Sequence, residues 1–194
     1  GSGTMFFARC NLHCVFCQNA DLSQADASGE MTPDQIASIM LKLQKQGCHN
    51  INLVSPDHVA PQILAALSQA AARGLRLPIV HNGNGYTLPE TLELLQGVID
   101  IYMPDVKTFS ERTARQLLAG PRYPQAAKLA LRQMHRQVGD LVLNERGIAQ
   151  RGLIVRHLIL PGQTDDAAKI MAYLAGLSTD TAVNLMPQYH PDYL

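Results

Sequence analysis

The chain predicts an α/β fold, a partial (β/α)6 TIM-like barrel of parallel strands with outer helices. Two observations carry that expectation. Short apolar, β-branched runs alternate along the chain with amphipathic stretches of helical period, and strand alternating with helix argues a parallel sheet built by right-handed crossovers. Each strand-plus-helix unit takes roughly thirty residues. The 194 residues therefore hold about six units, where a full eight-unit barrel needs about 250 residues.

The expected strands are 4–8, 50–54, 77–81, 99–104, 152–160 and 181–186. Their apolar content suits strands covered on both faces. The first long helix opens on Thr32-Pro33-Asp34-Gln35, which reads as N-cap, N1 proline and capping-box glutamine. Ile36, Ile39, Met40 and Leu43 then share one face, and Gly47 ends it. The second helix covers about 59–73 and stops at Gly74. A third opens on Thr87-Leu88-Pro89-Glu90, read as another capping box, and stops at Gly97. The stretch 110–135 holds one long or two short helices, interrupted near Gly120-Pro121, and a last helix covers about 166–175. Residues 140–149 break the rhythm and read as a small excursion or hairpin.

Hydrophobic residues make up 46% and charged residues 16%, the composition of a globular domain rather than a disordered chain. The expectation is one domain over 1–194. The start at Gly1-Ser2-Gly3-Thr4 without Met suggests the core of a somewhat longer chain. Sixteen basic and sixteen acidic residues cancel, and no Lys/Arg block stands out, so nucleic acid is not an expected partner. No apolar stretch is long enough to span a bilayer, and no signal-peptide pattern opens the chain. A cytoplasmic, reducing compartment fits the clustered thiols.

Catalytic groups of parallel-strand barrels gather at the C-terminal strand ends. Here strand one delivers Cys10, Cys14 and Cys17, and strand two ends in Ser55-Pro56-Asp57-His58. Strand three ends in His81-Asn82-Gly83-Asn84-Gly85, strand four gives Asp105 and Lys107, strand five carries Arg156 and His157, and strand six leads to Gln188, Tyr189 and His190. Loops are polar in any case. Only the in-strand pair Arg156-His157 and the pair Asp105-x-Lys107 escape that objection. His58 and His157 also suit a hydrogen-bonded scaffold role, and His13 reads as non-ligating.

The three thiols, spaced C-x3-C-x2-C in one loop, are matched to three corners of a [4Fe–4S] cluster, because such clusters are held by cysteine thiolates. Three local ligands leave one iron open. A structural zinc site would need a fourth ligand from His13 or a distant residue. Cys48, the only other thiol, reads as a small buried hydrophobe. A disulfide framework does not suit a chain of this length without a secretory signal. Two rival readings stand beside the open cluster: an iron–sulfur electron-transfer or zinc-binding module, and a metal-dependent hydrolase built from His58, His81, His157 and His190. The second lacks any H-x-H or H-E-x-x-H pattern.

The cysteine spacing and Phe16 resemble the signature of the radical SAM superfamily. Gly3-Thr4-Met5-Phe6-Phe7, Asn82-Gly83-Asn84-Gly85, Met103-Pro104-Asp105-Val106-Lys107, Leu160-Pro161-Gly162 and Asn184-Leu185-Met186-Pro187 resemble its pyruvate formate-lyase-activating-enzyme-like branch. The resemblance implies an enzyme in which S-adenosylmethionine binds the open iron. One electron then cleaves it to a 5′-deoxyadenosyl radical that abstracts hydrogen from a protein, peptide or small-molecule substrate. It also implies an electron donor such as flavodoxin or ferredoxin. Asp105 and Lys107 match positions beside the methionine end of the cofactor, and Arg156 matches an arginine contacting the same end. Their charges suit that task, since a carboxylate wants Arg or Lys. His190 matches an adenosine-holding histidine with a one-residue offset, and Tyr189 is its alternate. Asn82 and Asn84 sit among glycines that let backbone approach a ligand. The branch carries a Gly-Gly-Glu-like turn after strand two; here it is Ser55-Pro56-Asp57. Pro56 has no N–H, so the cofactor ammonium falls to the Ser55 carbonyl or to Asp57. Asn82 stands where activating enzymes carry an acid.

Overall fold

A computed structural model of the protein describes residues 1–24, 29–190 and 193. Six parallel strands form its centre: β1 (Gly3–Phe6), β2 (Ile51–Val54), β3 (Ile79–Asn82), β4 (Ile101–Tyr102), β6 (Ala149–Leu158) and β7 (Ala182–Met186). They pair in that order. The two outer strands, β1 and β7, do not pair with each other, so the sheet is an open, partial barrel. A seventh strand, β5 (Val142–Leu143), pairs antiparallel with the start of β6. It is the hairpin expected at 140–149. Gly152 lets the hairpin pass: its φ is 124°, and a Cβ there would lie 2.4 Å from the Asp140 carbonyl oxygen.

Five of the six parallel strands are shorter than the apolar runs suggest, β6 being the exception, and β4 shows one reason. Pro104 has no N–H to give the ladder, so regular pairing stops after Tyr102. The neighbours carry on in single bonds: Asp105 N–H donates to the Gly83 carbonyl at 2.9 Å, and Val106 N–H to the Arg156 carbonyl at 2.8 Å. These bonds bring Asp105 level with Arg156.

The helices are α1 (Ala20–Ser23), α2 (Pro33–Lys45), α3 (Ala60–Ala72), α4 (Pro89–Leu94), α5 (Glu111–Thr113), α6 (Tyr123–Val138) and α7 (Thr164–Leu177). A 3-10 turn, Asp57–Val59, leads into α3, and α5 runs on as a π turn, Ala114–Leu118. The reciprocal box on α2 forms as expected, Thr32 and Gln35 each bonding the other's backbone. The box read at Thr87 does not. Helix α4 starts one residue later, with Leu88 as an N-cap that makes no side-chain bond, and the Thr87 hydroxyl donates to Asp57 Oδ1 at 2.6 Å. Helix α1 carries no buried residue and left no periodic trace in the sequence.

On β6, Leu153, Val155 and His157 are buried while Ile154, Arg156 and Leu158 are half-buried, the two-residue period of a strand. Leu153 and Val155 pack in the main core with Leu131 and Met134 of α6 and Ile170 and Leu174 of α7. Arg156 therefore projects from the opposite face of the sheet. Among the described residues, no helix is long and apolar enough to cross a membrane.

Candidate cofactor site

The loop after β1 owes its shape to its apolar members. Leu12 and Phe16 are buried in a second core with Leu118, Tyr123 and Leu160. Two backbone bonds tie the loop to the π turn: His13 N–H donates to the Leu118 carbonyl and Val15 N–H to the Leu117 carbonyl, both at 2.9 Å. With Leu12 and Phe16 anchored, the three cysteines between and around them share one wall of that core. Cys14 is buried, which pushes its thiol up to about 11 against the opposing pull of Lys107. Cys17 Sγ lies 3.2 Å from Ser23 Oγ, and Cys10 Sγ accepts a bond from Asn84 Nδ2 at 3.3 Å. All four cysteines are free thiols.

The ends of β3, β4 and β6 supply a charged network. Asp105 Oδ2 accepts from Lys107 Nζ at 2.8 Å, and its Oδ1 from Arg156 Nε at 2.6 Å. Arg156 also donates to Asn82 Oδ1 at 2.8 Å. Burial alone would raise the Asp105 carboxyl, but the Lys107 ammonium and then the Arg156 guanidinium outweigh it and hold it below the usual range. Burial likewise opposes the charge on Lys107, and Asp105 outweighs it, so the ammonium sits above its ordinary value. At neutral pH the trio carries two positive charges and one negative, a net charge suited to an anionic group.

Asp105 and Lys107 of this network and Cys14 and Cys17 of the loop line the same cavity, of about 150 Å³, together with Met186 and Gln188, while Cys10, Asn82 and Arg156 lie outside its lining. That volume is below the roughly 300–1,000 Å³ of most small-molecule sites. A ligand of nucleoside size must therefore extend from it over the strand ends.

Other expected residues lie further from the cavity. Asp57 turns inward: its Oδ1 lies 3.3 Å from His81 Nε2, with side-chain exposures of 7% and 1%. Burial opposes its charge, yet the His81 ring and the Thr87 hydroxyl keep the carboxyl below its ordinary value. His81 in turn presses on Gly83, where a Cβ would sit 2.7 Å from the ring Cε1. Ser55 adopts a left-handed backbone, φ 56°, a conformation that glycine adopts without strain. Its N–H donates to the Asn82 carbonyl at 3.0 Å. His190 is exposed, and Tyr189 packs against Phe16 with ring centroids 6.3 Å apart. His58 bonds the Ala8 carbonyl at 2.7 Å and His157 the Val106 carbonyl at 2.7 Å. Of the histidines named for a hydrolase, His58, His81 and His157 thus face three different partners, and His190 is exposed. Among the described residues no three His, Cys, Asp or Glu side chains converge as ligands of one ion would. Thiolates that each hold a different iron of a cluster do not need that convergence.

Tyr123 is the residue that sequence reading missed. It is fully buried. Its hydroxyl accepts the Lys107 N–H at 2.9 Å and donates to the Asn84 carbonyl at 2.7 Å, joining the β3 and β4 ends. A tyrosine at the start of an amphipathic helix carries no signal of such a bond.

Residues 4–174 match the radical SAM superfamily. The chain belongs to that superfamily. Radical SAM membership implies a [4Fe–4S] cluster and S-adenosylmethionine, and the three thiols on one loop fit the first. The chain is 30% identical to the uncharacterized protein MJ0674 of Methanocaldococcus jannaschii, over 99% of this chain and 54% of that protein. It spans about half the length of that curated relative. Among solved structures, Streptococcus suis SuiB bound to S-adenosylmethionine superposes with a TM-score of 0.67 at 11% identity, over 95% of this chain and 40% of SuiB. TYW1 with a lysine–pyruvate adduct bound superposes at 0.61 and 12% identity, over 98% of this chain and 66% of TYW1. These likenesses concern the radical SAM fold.

Proposed function

We propose that Cys10, Cys14 and Cys17 hold the [4Fe–4S] cluster and that the ends of β2, β3, β4 and β6 hold S-adenosylmethionine beside it. The observation that carries this reading is one cavity lined by Cys14 and Cys17 together with Asp105 and Lys107, with Arg156 paired to Asp105 beside it. Bound there, the two cofactors supply a 5′-deoxyadenosyl radical that abstracts hydrogen from a protein, peptide or small-molecule substrate.

Each protein group has a defined task. Lys107 and Arg156 present cations to the methionine carboxylate, and Asp105 holds both in place while preventing an excess of positive charge. Asn82 fixes the far side of the Arg156 guanidinium. The Ser55 carbonyl takes the ammonium, since Asp57 is committed to His81 and Thr87. Asn84 orients Cys10, and His190 is the residue that the resemblance would assign to the adenosine. Asp105, Lys107 and Arg156 also support placement in the pyruvate formate-lyase-activating-enzyme-like branch. The proposal includes an electron donor of the flavodoxin or ferredoxin kind and a cytoplasmic, reducing setting in keeping with free thiols.

The test is a titration of S-adenosylmethionine into protein loaded anaerobically with iron and sulfide, followed by the electron paramagnetic resonance signal of the reduced cluster. The signal should shift to a new saturable form. Loaded protein whose signal ignores the cofactor would instead be an electron-transfer module, and zinc as the bound metal would sink the cluster reading.

A further inference from the structure

Four non-glycine residues among those described adopt a left-handed backbone: Arg9, Ser55, Ala119 and Arg122. That conformation crowds Cβ and persists only where surrounding contacts fix it. Arg9 directly precedes Cys10, and Ala119 and Arg122 follow Leu117 and Leu118, whose carbonyls hold the cysteine loop. Ser55 opens the turn after β2, the strand next to β1. Phe7 N–H still donates to the Val54 carbonyl at 3.1 Å, so Ala8 and Ser55 leave the sheet side by side.

Two side chains of the turn after β2 reach to opposite sides. Asp57 turns toward β3, where its Oδ1 lies 3.3 Å from His81 Nε2 and accepts the Thr87 hydroxyl at 2.6 Å. Gly83 leaves room for this contact, since a Cβ there would lie 3.1 Å from Asp57 Oδ2. His58 turns toward β1, with Nε2 2.7 Å from the Ala8 carbonyl oxygen. A carbonyl only accepts, so this nitrogen carries the proton and donates it. Between the two side chains the 3-10 turn is closed by Val59 N–H, which donates to the Pro56 carbonyl at 3.1 Å.

We infer that Asp57 and His58 are positioning residues: Asp57 pins the turn after β2 to β3, His58 pins it to the start of the cysteine loop, and together they fix the Ser55 carbonyl relative to Cys10. The inference rests on the function proposed above, in which that carbonyl receives the cofactor ammonium and Cys10 holds one iron. S-adenosylmethionine would then meet two elements that belong to different strands, and His58 is a side-chain bond joining them. Groups that share one ligand bind it well only when their spacing is held by locked neighbours. A serine in left-handed backbone depends on such pins more than a glycine would.

The test compares wild type with His58→Ala, an exposed position where truncation spares the core, and with His58→Gln, which still offers an N–H. Amide hydrogen exchange is read first, on protein without added iron. The Arg9 N–H, bonded to the Leu22 carbonyl, and the Ser55 N–H, bonded to the Asn82 carbonyl, should exchange about fivefold or more faster in His58→Ala. The Ile51 N–H, bonded to the Pro78 carbonyl at the other end of β2, should keep its rate. Asp57→Asn, which retains volume and an acceptor for Thr87, should free Ser55 and leave Arg9 as it was. In protein loaded anaerobically with iron and sulfide, His58→Ala should hold the wild-type amount of iron and bind S-adenosylmethionine about fivefold or more weakly in equilibrium dialysis. His58→Gln should recover most of that affinity. Unchanged exchange at Ser55 and Arg9, or a rise that extends equally to Ile51, overturns the inference. So does unchanged cofactor affinity in His58→Ala, or a loss of iron, which would make His58 a support of the cluster. Wild-type protein that holds a cluster and binds no S-adenosylmethionine refutes the proposed function, a result told apart by the exchange rates, which need no cofactor.

Discussion

Replacing Cys14 by alanine is expected to remove the cluster while leaving the fold intact: iron falls from about four per chain to near zero. Cys14 is the middle ligand of the proposed three, flanked by the anchored Leu12 and Phe16. Its loss leaves two thiols at opposite ends of the loop. Alanine is small and apolar, so it suits the buried position, and the change in unfolding free energy should stay within about 1–2 kcal/mol, the ordinary range for a point substitution. Cys10→Ala and Cys17→Ala should lose the iron equally. Cys48→Ala should keep it, because Cys48 follows α2 at the other end of the sheet, next to the start of β2. Iron and acid-labile sulfide assays on the four variants decide the matter. Full iron in Cys14→Ala, or its loss in Cys48→Ala, would contradict the ligand assignment.

Asp105→Ala should destabilise the protein by about 3 kcal/mol in urea unfolding at pH 7, near the lower end of what breaking a buried ion pair costs. The lower end applies because Lys107, Asp105 and Arg156 keep side-chain exposures of 16%, 22% and 26%. The substitution leaves two neighbouring cations facing each other with their shared acceptor gone. The pH dependence has a definite sign. The Asp105 carboxyl is depressed in the folded state, so its contribution is complete above the unfolded carboxylate value of about 3.9 and is lost as pH falls through the folded one. Wild type should therefore lose stability across that acid window more steeply than Asp105→Ala. Lys107, raised in the folded state, contributes fully below its unfolded value and loses that contribution only in strong alkali. Affinity for S-adenosylmethionine should also fall in the variant, because Lys107 and Arg156 lose the carboxylate that aligns them. Equal unfolding curves at pH 7 would contradict the network's structural role.

What the sequence made legible depended on distance along the chain. The strand–helix rhythm and the Thr32–Gln35 box are local, and both appear where expected. The three cysteines are legible for the same reason, since all lie within one short loop. Arg156 was visible because charge is out of place in an apolar strand and Asp105 because it follows one closely, and an isolated bridge then brings them side by side. Thr87 was misread because the partner of its hydroxyl, Asp57, lies thirty residues away, and α4 starts one residue later than the expected box, at a Leu88 N-cap. Asp57 itself looked free for the same reason, its His81 partner being on another strand. The role of Tyr123 depends on how α6 seats against the cysteine loop, which no periodicity in either segment encodes.

The most direct test is to load the protein with iron and sulfide under anaerobic conditions, reduce it with dithionite, and add S-adenosylmethionine. The account predicts release of 5′-deoxyadenosine and methionine in equal amounts, abolished in Cys14→Ala. Protein that carries a full, reduced cluster and leaves S-adenosylmethionine intact would contradict it.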